Sequence, residues 1–381
     1  MKPIPFNKPF IAGNELKYIH AAVKSGQLAG NGAFTKMCQR HLEQRFGFGK
    51  VLMTHSATAA LEMSAILCDI KAGDEVILPS FTFVSTANAF YLRGAKLKFV
   101  DIRPDTLNID ERLVEKTVTK RTRLICPVHY AGVGCRMDVI GRIAKRHNLM
   151  VVEDAAHAIG ARFNGQYLGS FGDLAALSFH ETKNFISGEG GALVLNSPEL
   201  VERAEIIWEK GTNRKKFELG IVDKYTWVDM GSSFYPSELV SAFLYGQLEE
   251  AGAIARKRLS LWKYYRDNLS GLAEQGLLRL QFIPAGCEHN AHMFYILLNS
   301  NRERNELLHE LRLNQILAVF HYVPLHSSPM GHKMGYSGSS LPVTEDVSKR
   351  LLRLPLFYEL TSEGQKRIVN VIKRYFVRTK R

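Results

Sequence analysis

The feature that most constrains the fold is a regular alternation of short apolar stretches with helical patterns between about residues 50 and 200. The predicted strands read KVLMTH, DEVILPS, KLKFVDI, RLICPVHYAG and LMVVEDAA, and helical patterns such as SATAALEMSAILCDI, VSTANAFYLRG and MDVIGRIAKRHN separate them. This alternation is typical of a mostly parallel sheet with helices on both faces. Such sheets bind ligands at the carboxyl ends of their strands, so polar residues there are the first candidates for a functional site.

The regular alternation stops near residue 235. The stretch 235–270 has the periodicity of one long helix, and beyond it strands (LRLQFI, HMFYILL, LAVFHYV) and helices (NRERNELLHELRLNQI, TSEGQKRIVNVIKRYF) alternate less regularly. We therefore predict an α/β protein with a large, mostly parallel-sheet domain over residues 1–240, which includes an N-terminal arm. A connector helix and a small α+β domain are predicted over residues 241–381. The 381 residues suffice for two cores.

Composition narrows the class of protein. Hydrophobic residues make up 46% and charged residues 23%, which is ordinary for a globular protein and argues against a disordered or fibrous chain. No apolar run reaches the ~18 residues that a membrane-spanning helix needs, and the N-terminal stretch lacks the apolar core of a signal peptide. The five cysteines have neither metal-site nor redox spacing, so we expect reduced thiols in a cytoplasmic protein.

The net charge of +13 has three readings. It could attract anionic metabolites such as nucleotide diphosphates, it could be a solvated basic surface, or it could bind nucleic acid. The basic residues are spread along the chain and mixed with acids, and only the tail KRYFVRTKR is a basic cluster. No helix-turn-helix or RNA-binding motif accompanies the charge, so no nucleic-acid partner is expected.

Two predicted strand ends carry polar residues that a plain core would not need. In HSATAAL a strand meets a helix at Ser56 and Thr58, and a helix N-terminus with nearby hydroxyls binds phosphate well. The same residues are also typical of an ordinary helix cap. In VVEDAAHAIG an apolar strand ends at Glu153 and Asp154. A carboxylate there either faces a cationic ligand atom or caps a helix.

Two further strand ends carry an aromatic pair and a lysine. Phe81 and Phe83 follow the strand DEVILPS, where an aromatic ring either stacks on a flat ligand or packs in the core. Lys183 lies on a glycine-rich loop in SFHETKNFISGEGGALV, between two apolar strands. A desolvated lysine has a lowered pKa and attacks carbonyl groups, whereas a lysine on an exposed loop does neither.

Taken together, these four features are the parts that hold pyridoxal 5′-phosphate (PLP). The cofactor needs a phosphate site, an aromatic ring to stack on, a carboxylate at the pyridinium nitrogen and a lysine that forms a Schiff base. The chain between Asp154 and Lys183 has room for a turn and one strand, LAALSFH, so both residues can reach the same edge of the sheet. The combination predicts a PLP enzyme.

The sequence resembles the DegT/StrS family of PLP-dependent sugar aminotransferases through essentially its whole length. The motifs that carry the resemblance are HSATAALEM, GDEVILPSFTFVSTANA, PVHYAG, VVEDAAHAIG, SFHETKN, GEGGA, HYVPLH and LPLFYEL. The family implies the aspartate aminotransferase-like (type I) fold. The stretches FNKPF, RPDTLNIDE, EKGTNR, VDKYTW, GSSF, NAHMFYI and RLLRLPLFY favour the branch of enterobacterial common antigen synthesis. That branch forms dTDP-4-amino-4,6-dideoxy-D-galactose from the 4-keto-6-deoxyglucose nucleotide.

The resemblance also implies roles for individual residues. Lys183 corresponds to the lysine that forms the Schiff base, and Asp154 to the partner of the pyridinium nitrogen. His157 occupies the position that contacts the ring's 3-hydroxyl group, and Phe83 the position that stacks on the ring. The positions that bind the cofactor's phosphate are Ala57, Thr58 and Ser178.

Three further residues are weaker candidates. Many relatives have an asparagine that reaches the phosphate of the neighbouring subunit, and in this sequence Ser233 replaces it within GSSFYPSEL. Serine is shorter and lacks the amide, so this contact stays open. Arg214, in EKGTNR, is a candidate diphosphate contact or an exposed arginine on a loop. His326, in HYVPLH, is a candidate substrate contact.

By resemblance, the expected reaction moves an amino group from L-glutamate to the C4 ketone of a dTDP-sugar in a homodimer with shared active sites. Alternatives within the fold are a 3-aminotransferase, a dehydratase, or a 4-aminotransferase that gives the gluco epimer. Some dehydrating relatives replace the lysine with histidine, so Lys183 argues against that branch. A non-catalytic regulator or nucleic-acid-binding protein is the remaining alternative, and it rests on the charge alone.

Overall fold

The computed structural model describes residues 2–379. The helices are α1 Glu15–Ser25, α2 Ala33–Phe46, α3 Ala57–Leu67, α4 Val84–Tyr91, α5 Glu111–Thr117, α6 Met137–His147, α7 Val201–Trp208, α8 Arg214–Glu218, α9 Glu238–Glu249, α10 Ala251–Glu274, α11 Asn301–Leu313, α12 Pro329–Lys333, α13 Pro342–Arg350 and α14 Ser362–Thr379. The strands are β1 Lys50–Thr54, β2 Glu75–Pro79, β3 Lys96–Val100, β4 Thr122–Ile125, β5 Met150–Asp154, β6 Arg162–Phe163, β7 Gln166–Tyr167, β8 Leu174–Ser178, β9 Gly191–Leu195, β10 Leu278–Leu280, β11 Cys287–Glu288, β12 Phe294–Leu298 and β13 Leu351–Leu354.

A seven-stranded sheet forms the centre of the large domain, in the order β1-β9-β8-β5-β4-β2-β3. β9 runs antiparallel to both of its neighbours, and the other six strands share one direction. The prediction of a mostly parallel sheet is therefore confirmed. Because those six strands point the same way, their carboxyl ends meet at one edge of the sheet.

The central strands are apolar on both faces because helices cover both. β8 and β9 are buried along their whole lengths. Side chains that point to one face pack with α2, α6 and α9, and side chains that point to the other face pack with α3, α4 and α7. α3 starts after β1 because Ser56 caps it, its hydroxyl oxygen accepting a hydrogen bond from the Ala59 amide at 3.1 Å.

The predicted long helix over 235–270 is two helices, α9 and α10, which meet at Glu250. α9 lies against α1 and α2, whereas α10 lies against α14 and β10. The chain has to change direction between these two sets of partners, and helical periodicity alone carries no signal for that change. The prediction of a domain boundary near residue 240 stays a prediction.

The small domain is an antiparallel sheet, β10-β12-β13, packed on α10, α11 and α14. The strands predicted in LRLQFI and HMFYILL are β10 and β12. The prediction of a strand over LAVFHYV is wrong, since only Val319 forms an isolated bridge there, to Arg353. Ile4 of the N-terminal arm is buried in this small-domain core, so the arm reaches across to the second domain.

Two chain-wide observations complete the fold. Among residues 2–379, no helix is both long enough and apolar enough to cross a membrane. The five cysteines are free thiols.

Candidate active site

The carboxyl edge of the large sheet collects the predicted site residues from three strands. β1 leads into the N-terminus of α3, β5 ends at Asp154, and β8 ends at Ser178, five residues before Lys183. Ser178 is buried. The sheet topology thus brings to one edge residues that are more than a hundred positions apart in the chain.

The loop that carries Lys183 is closed by its own backbone. The amide of Phe179 donates to the Gly190 carbonyl at 2.8 Å, and the Ser187 amide donates to the Phe179 carbonyl at 2.7 Å. Gly191 follows the loop, and a Cβ atom there would lie 2.3 Å from the Ser56 carbonyl carbon. The glycine therefore lets the start of β9 approach the N-terminus of α3 closely.

Lys183 is surrounded by protein yet has no hydrogen-bond partner for its ammonium group among the described residues. The pKa of Lys183 is lowered from 10.5 to about 8: burial is the largest cause, Asp154 opposes it, and Arg353 adds to the lowering. An amine with a pKa of about 8 has an appreciable neutral fraction near neutral pH, and the neutral form is the nucleophile. Lys183 is thus prepared to attack an aldehyde.

Asp154 is buried and fixed by two hydrogen bonds. Its Oδ2 accepts from the Thr86 hydroxyl at 2.7 Å, and its Oδ1 accepts from the Ala156 amide at 3.1 Å. Thr86 lies on α4 and is itself 2.9 Å from the Thr82 hydroxyl. The carboxylate is therefore held in one orientation at the end of β5.

Glu153, the neighbouring acid in the sequence, points to the opposite face of the sheet, as successive strand residues do. It is fully buried and accepts hydrogen bonds from the amides of Gly169, Phe171 and Gly172 at 2.7–2.9 Å. It also lies 2.7 Å from His129. Glu153 therefore has a structural role, and of the two acids only Asp154 faces Lys183.

His157 lies in a cluster of neutral histidines. Burial lowers the pKa of His157 well below its ordinary value, and Lys183 and Arg353 add to the effect. Its Nδ1 accepts from the Ala131 amide at 3.4 Å, which assigns the remaining proton to Nε2. The ring stacks on His292, with 4.2 Å between ring centroids and an interplanar angle of 19°. His157 can therefore donate one hydrogen bond from Nε2 to a ligand.

His292 was not predicted from the sequence. Its Nδ1 lies 3.2 Å from the amide oxygen of Asn184, the residue directly after Lys183. His321 joins the cluster and hydrogen-bonds the Tyr130 hydroxyl at 3.0 Å. No set of three or more His, Cys, Asp or Glu side chains within residues 2–379 is arranged to hold a metal ion.

The start of α3 has free backbone amides and nearby hydroxyl groups, as the prediction of a phosphate site requires. The amides of Ala57 and Thr58 open the helix, where backbone N–H groups have no acceptor within the helix itself. The hydroxyl of Thr58 lies 2.7 Å from that of Ser85 on α4. The arrangement fits a phosphate group held by backbone amides and hydroxyl groups.

The two candidate aromatic residues have separated roles. Phe81 is fully buried and packs against Tyr130 in the contact between the two domains. Phe83 caps α4 and is 57% exposed, so its ring face is available to a flat ligand. The structure thus leaves Phe83, not Phe81, as the ring that can stack on a cofactor.

Two of the three weaker candidates, Arg214 and His326, pair with residues outside this cluster. Arg214 is exposed on α8 and pairs with Glu218 at 2.9 Å. His326 is buried, with Ser80 2.7 Å from its Nδ1 and Glu345 3.2 Å from its Nε2. Their roles in substrate binding stay predictions.

Ser233 is exposed and forms a backbone bridge to Glu209. The next residue, Phe234, accepts a hydrogen bond from the His55 amide at 2.9 Å, just before α3. Ser233 therefore lies near the N-terminal end of α3 in its own chain. Whether it reaches a neighbouring phosphate stays a prediction.

The profile of the DegT/DnrJ/EryC1/StrS aminotransferase family matches residues 9–373. The chain belongs to this family. Uncharacterized protein MJ1066 of Methanocaldococcus jannaschii is 31% identical over 378 residues, which cover 97% of each chain. Enzymes of the family use PLP, so the cofactor predicted from the four strand ends is confirmed.

Solved structures of similar proteins confirm the type I fold. Spr1654 of Streptococcus pneumoniae, provisionally assigned as a sugar aminotransferase, has been solved in PLP and PMP forms. Its PMP form superposes with a TM-score of 0.91 at 26% identity, covering 98% of this chain and 99% of that one. PseC of Helicobacter pylori, an aminotransferase of pseudoaminic acid biosynthesis, gives a TM-score of 0.89 at 25% identity, covering 99% and 100%.

The residues at the carboxyl edge fit PLP by their chemistry. The amine of Lys183 matches the aldehyde of the cofactor, and the fixed carboxylate of Asp154 matches the ring nitrogen. The neutral His157, which donates from Nε2, matches the 3-hydroxyl group, and the free amides at the start of α3 match the phosphate. Lys183, Asp154 and His157 would hold the ring, and Ala57 and Thr58 the phosphate.

Proposed function

We propose that this aminotransferase moves the amino group of L-glutamate to C4 of dTDP-4-keto-6-deoxy-D-glucose and forms dTDP-4-amino-4,6-dideoxy-D-galactose. The observation that carries the transfer chemistry is the convergence of Lys183, Asp154 and His157 at the carboxyl edge of the sheet. The choice of substrate is supported by the sequence stretches shared with the enterobacterial common antigen branch. The similar protein Spr1654, provisionally assigned as a sugar aminotransferase, also supports a sugar as the acceptor.

PLP, when bound, supplies an electron sink for the negative charge that develops at the carbon losing its proton. Lys183 would hold the cofactor, and its Nζ would accept the proton that leaves the α-carbon of the amino donor. A pKa of about 8 suits a base that works near neutral pH. A single lysine thus serves both half-reactions.

Asp154 and His157 control the charge of the ring. The Asp154 carboxylate, held by Thr86, keeps a cationic nitrogen opposite it protonated. His157 is neutral, because burial lowers its pKa, and its Nε2–H would donate to the oxygen of the ring. Together they favour a ring that withdraws electrons, which is the property a transamination needs.

We also propose a homodimer. The segment 214–230, which includes α8, exposes a run of large apolar side chains that a monomer would leave in water. These side chains are Phe217, Leu219, Ile221, Tyr225, Trp227, Val228 and Met230. Exposed apolar surface of this extent is typical of a protein interface. Sedimentation at micromolar concentration tests the proposal, and a monomer there would contradict it.

The substrate is tested by supplying candidate dTDP- and UDP-keto sugars with L-glutamate and determining the amino-sugar product by NMR. The expected product has an axial C4 amine, as in the galacto configuration. An equatorial amine would replace the proposal with the gluco-forming alternative, and amination at C3 would replace it with the 3-aminotransferase.

The nucleotide is tested separately by calorimetry with dTDP and UDP at two ionic strengths. We expect tighter binding of dTDP and a loss of affinity with added salt, because part of the attraction is screened charge. Equal binding of the two nucleotides would remove the thymidine assignment. No binding of either would remove the nucleotide-sugar substrate.

A further inference from the structure

The short segment 290–292, which leads into β12 of the small-domain sheet, contacts both loops that carry the predicted cofactor residues. It reads Asn-Ala-His, and all three of its residues are buried. On the large domain it meets His157, which follows β5, and Asn184, which directly follows Lys183. One segment of the small domain is therefore in contact with two loops at the carboxyl edge of the large sheet.

Asn290 joins these two loops by hydrogen bonds. Its Nδ2 donates to the carbonyls of His157 and Ile159, at 2.8 Å and 2.9 Å. Its own carbonyl accepts a hydrogen bond from Nδ2 of Asn184 at 2.8 Å. The chain after β5 and the chain after Lys183 are thus tied to the same residue.

His292 closes the circuit through its side chain. Because Nδ2 of Asn184 donates to a carbonyl, its amide oxygen faces His292, and the 3.2 Å contact assigns the His292 proton to Nδ1. The face of the same ring stacks on His157, with 4.2 Å between centroids. The His292 backbone is fixed too, since its amide donates to Asn290 Oδ1 at 3.1 Å and its carbonyl accepts from Arg258 at 2.6 Å. The His292 ring is therefore held in one orientation.

The imidazole of His157 depends on this stack. The hydrogen bond that its Nδ1 accepts from the Ala131 amide is long, at 3.4 Å. The rings of Tyr130 and His321 are farther away, with centroids at 5.9 Å and 6.3 Å. The His292 ring is closer than either and nearly parallel, so it sets the plane in which His157 presents its Nε2–H.

Both stacked rings are neutral. Burial lowers the pKa of His157 and of His292 well below the ordinary value, and the cations Lys183 and Arg353 add to the effect on both. Arg258 acts on His292 in the same direction. Two neutral imidazoles can stack without charge repulsion, and each keeps one N–H to donate. The protons lie on different nitrogens, Nε2 in His157 and Nδ1 in His292.

The chemistry of PLP makes the relative placement of Lys183 and His157 important. The aldehyde that the lysine captures and the hydroxyl group assigned to the histidine are attached to neighbouring atoms of the ring. The two side chains come from loops after different strands, β8 and β5. A hydrogen bond weakens steeply when its direction is lost, so the two loops have to be aligned with each other.

We infer that His292 is a positioning residue for the cofactor chemistry. Its stack directs the Nε2–H of His157, and its hydrogen bond to Asn184 fixes the loop of Lys183. The inference rests on the PLP contacts proposed above for the lysine and the histidine. It gives the small domain a role in aligning two loops of the large domain.

The stack is tested by comparing His292→Leu, which loses both contacts, with His292→Phe, which keeps an aromatic ring but cannot donate to Asn184. The readout is the pH titration of the visible band of the lysine-bound cofactor. A donor at the ring oxygen stabilises its negative charge most when the neighbouring nitrogen has lost its proton, so the donor lowers the pKa of the band. His292→Leu should raise that pKa by about one unit, and His292→Phe by less than about 0.3 unit.

The hydrogen bond is tested by PLP affinity in a fluorescence titration. His292→Phe should weaken PLP binding about fivefold, and Asn184→Leu by more, because Asn184 also bonds the Asn290 carbonyl. Adding His292→Phe to Asn184→Leu should change the affinity less than about twofold, since both changes remove the same contact. Losses that multiply in the double variant would contradict the coupling.

Two controls separate positioning from a general loss of structure. His289→Phe changes a half-buried histidine three residues earlier that packs on Trp262, and it should leave the titration and the PLP affinity unchanged. Nitrogen NMR of the cofactor-free wild-type protein needs no variant of His292. It should show the His292 proton on Nδ1 and the His157 proton on Nε2, and a proton on Nε2 of His292 would overturn the inference.

His157→Asn distinguishes failure of the inference from failure of the proposed cofactor contact. It should raise the pKa of the band at least as much as His292→Leu does. An unchanged titration in His157→Asn would refute the role of His157 and the inference with it. A shift in His157→Asn without one in folded His292→Leu, or equal shifts in His292→Leu and His292→Phe, would refute the inference alone. None of these measurements uses the keto-sugar acceptor.

Discussion

Replacing Lys183 by methionine should stabilise the cofactor-free protein at neutral pH. Methionine keeps an unbranched apolar stem but removes the ammonium group that the site disfavours. The folded protein holds the pKa of Lys183 at about 8, against 10.5 for an ordinary lysine. At about 1.4 kcal/mol for each tenfold change in proton binding, this difference corresponds to roughly 3 kcal/mol of folding free energy.

The stability of the wild-type protein relative to Lys183→Met should change with pH in one direction. Below pH 8 Lys183 is protonated in the folded and the unfolded chain, and the cost of the buried ammonium is fully present. Between pH 8 and 10.5 the unfolded chain binds a proton that the folded chain has lost, so the stability of the wild-type protein rises with pH. The advantage of Lys183→Met should therefore be largest at pH 7 and should disappear as pH approaches 10.5.

The assay measures the thermal unfolding midpoints of cofactor-free wild type and cofactor-free Lys183→Met at pH 7, 9 and 10.5 and compares them. For a chain of 381 residues, roughly 3 kcal/mol corresponds to a shift of about 4 °C. Lys366→Met, on the exposed face of α14, removes the same side chain from the surface and sets the baseline. The reasoning would be refuted if wild type and Lys183→Met had the same unfolding midpoint at pH 7, or if the midpoints differed by the same amount at every pH.

Three further predictions concern the cofactor. Lys183→Ala should lose the visible absorption of the lysine-bound cofactor together with turnover, and a variant that keeps the band would contradict the role of Lys183. Asp154→Asn keeps the shape of the side chain but removes its charge, and turnover should fall by about a thousandfold or more, roughly 4 kcal/mol in the barrier; a rate near wild type would assign the ring nitrogen to another acid. Gly191→Ala should weaken PLP binding at least tenfold in a fluorescence titration, because its Cβ would press on the start of α3, whereas Gly141→Ala, in open space on α6, should leave PLP affinity unchanged.

The sequence alone predicted the parts of the protein in which local pattern and tertiary structure agree. The strands β1, β2, β3 and β5 and the helices between them were predicted because apolar periodicity reflects burial directly. Lys183 and Asp154 were predicted because a charged residue at the end of an apolar strand is costly unless a ligand compensates for it. The four strand-end features together then predicted the cofactor, and the motifs of the family assigned roles to individual residues.

The sequence failed where the outcome depended on partners distant in the chain. The break at Glu250 lies between α9, which packs on α1 and α2, and α10, most of which packs on α14 and β10, and the helical periodicity is the same on both sides of it. LAVFHYV has the composition of a strand, but it pairs with β13 through a single bridge, between Val319 and Arg353. Intrinsic preference for a strand is weak without a neighbouring strand to pair with.

The active site shows the same division. The pattern of residues indicated which types of side chain bind PLP, and the family resemblance chose Asp154 over Glu153 and Phe83 over Phe81. The physical reason for that choice is visible only in the structure, where Asp154 acts on Lys183 while Glu153 holds a loop, and Phe83 is exposed while Phe81 is buried. Arg353 is a lone arginine among leucines in LLRLPLF, yet only the folded structure shows that it lies close enough to Lys183 to lower the pKa of that residue. Pairing across the chain is a property of the folded structure, because the groups that could neutralise a side chain come from any element that packs against it.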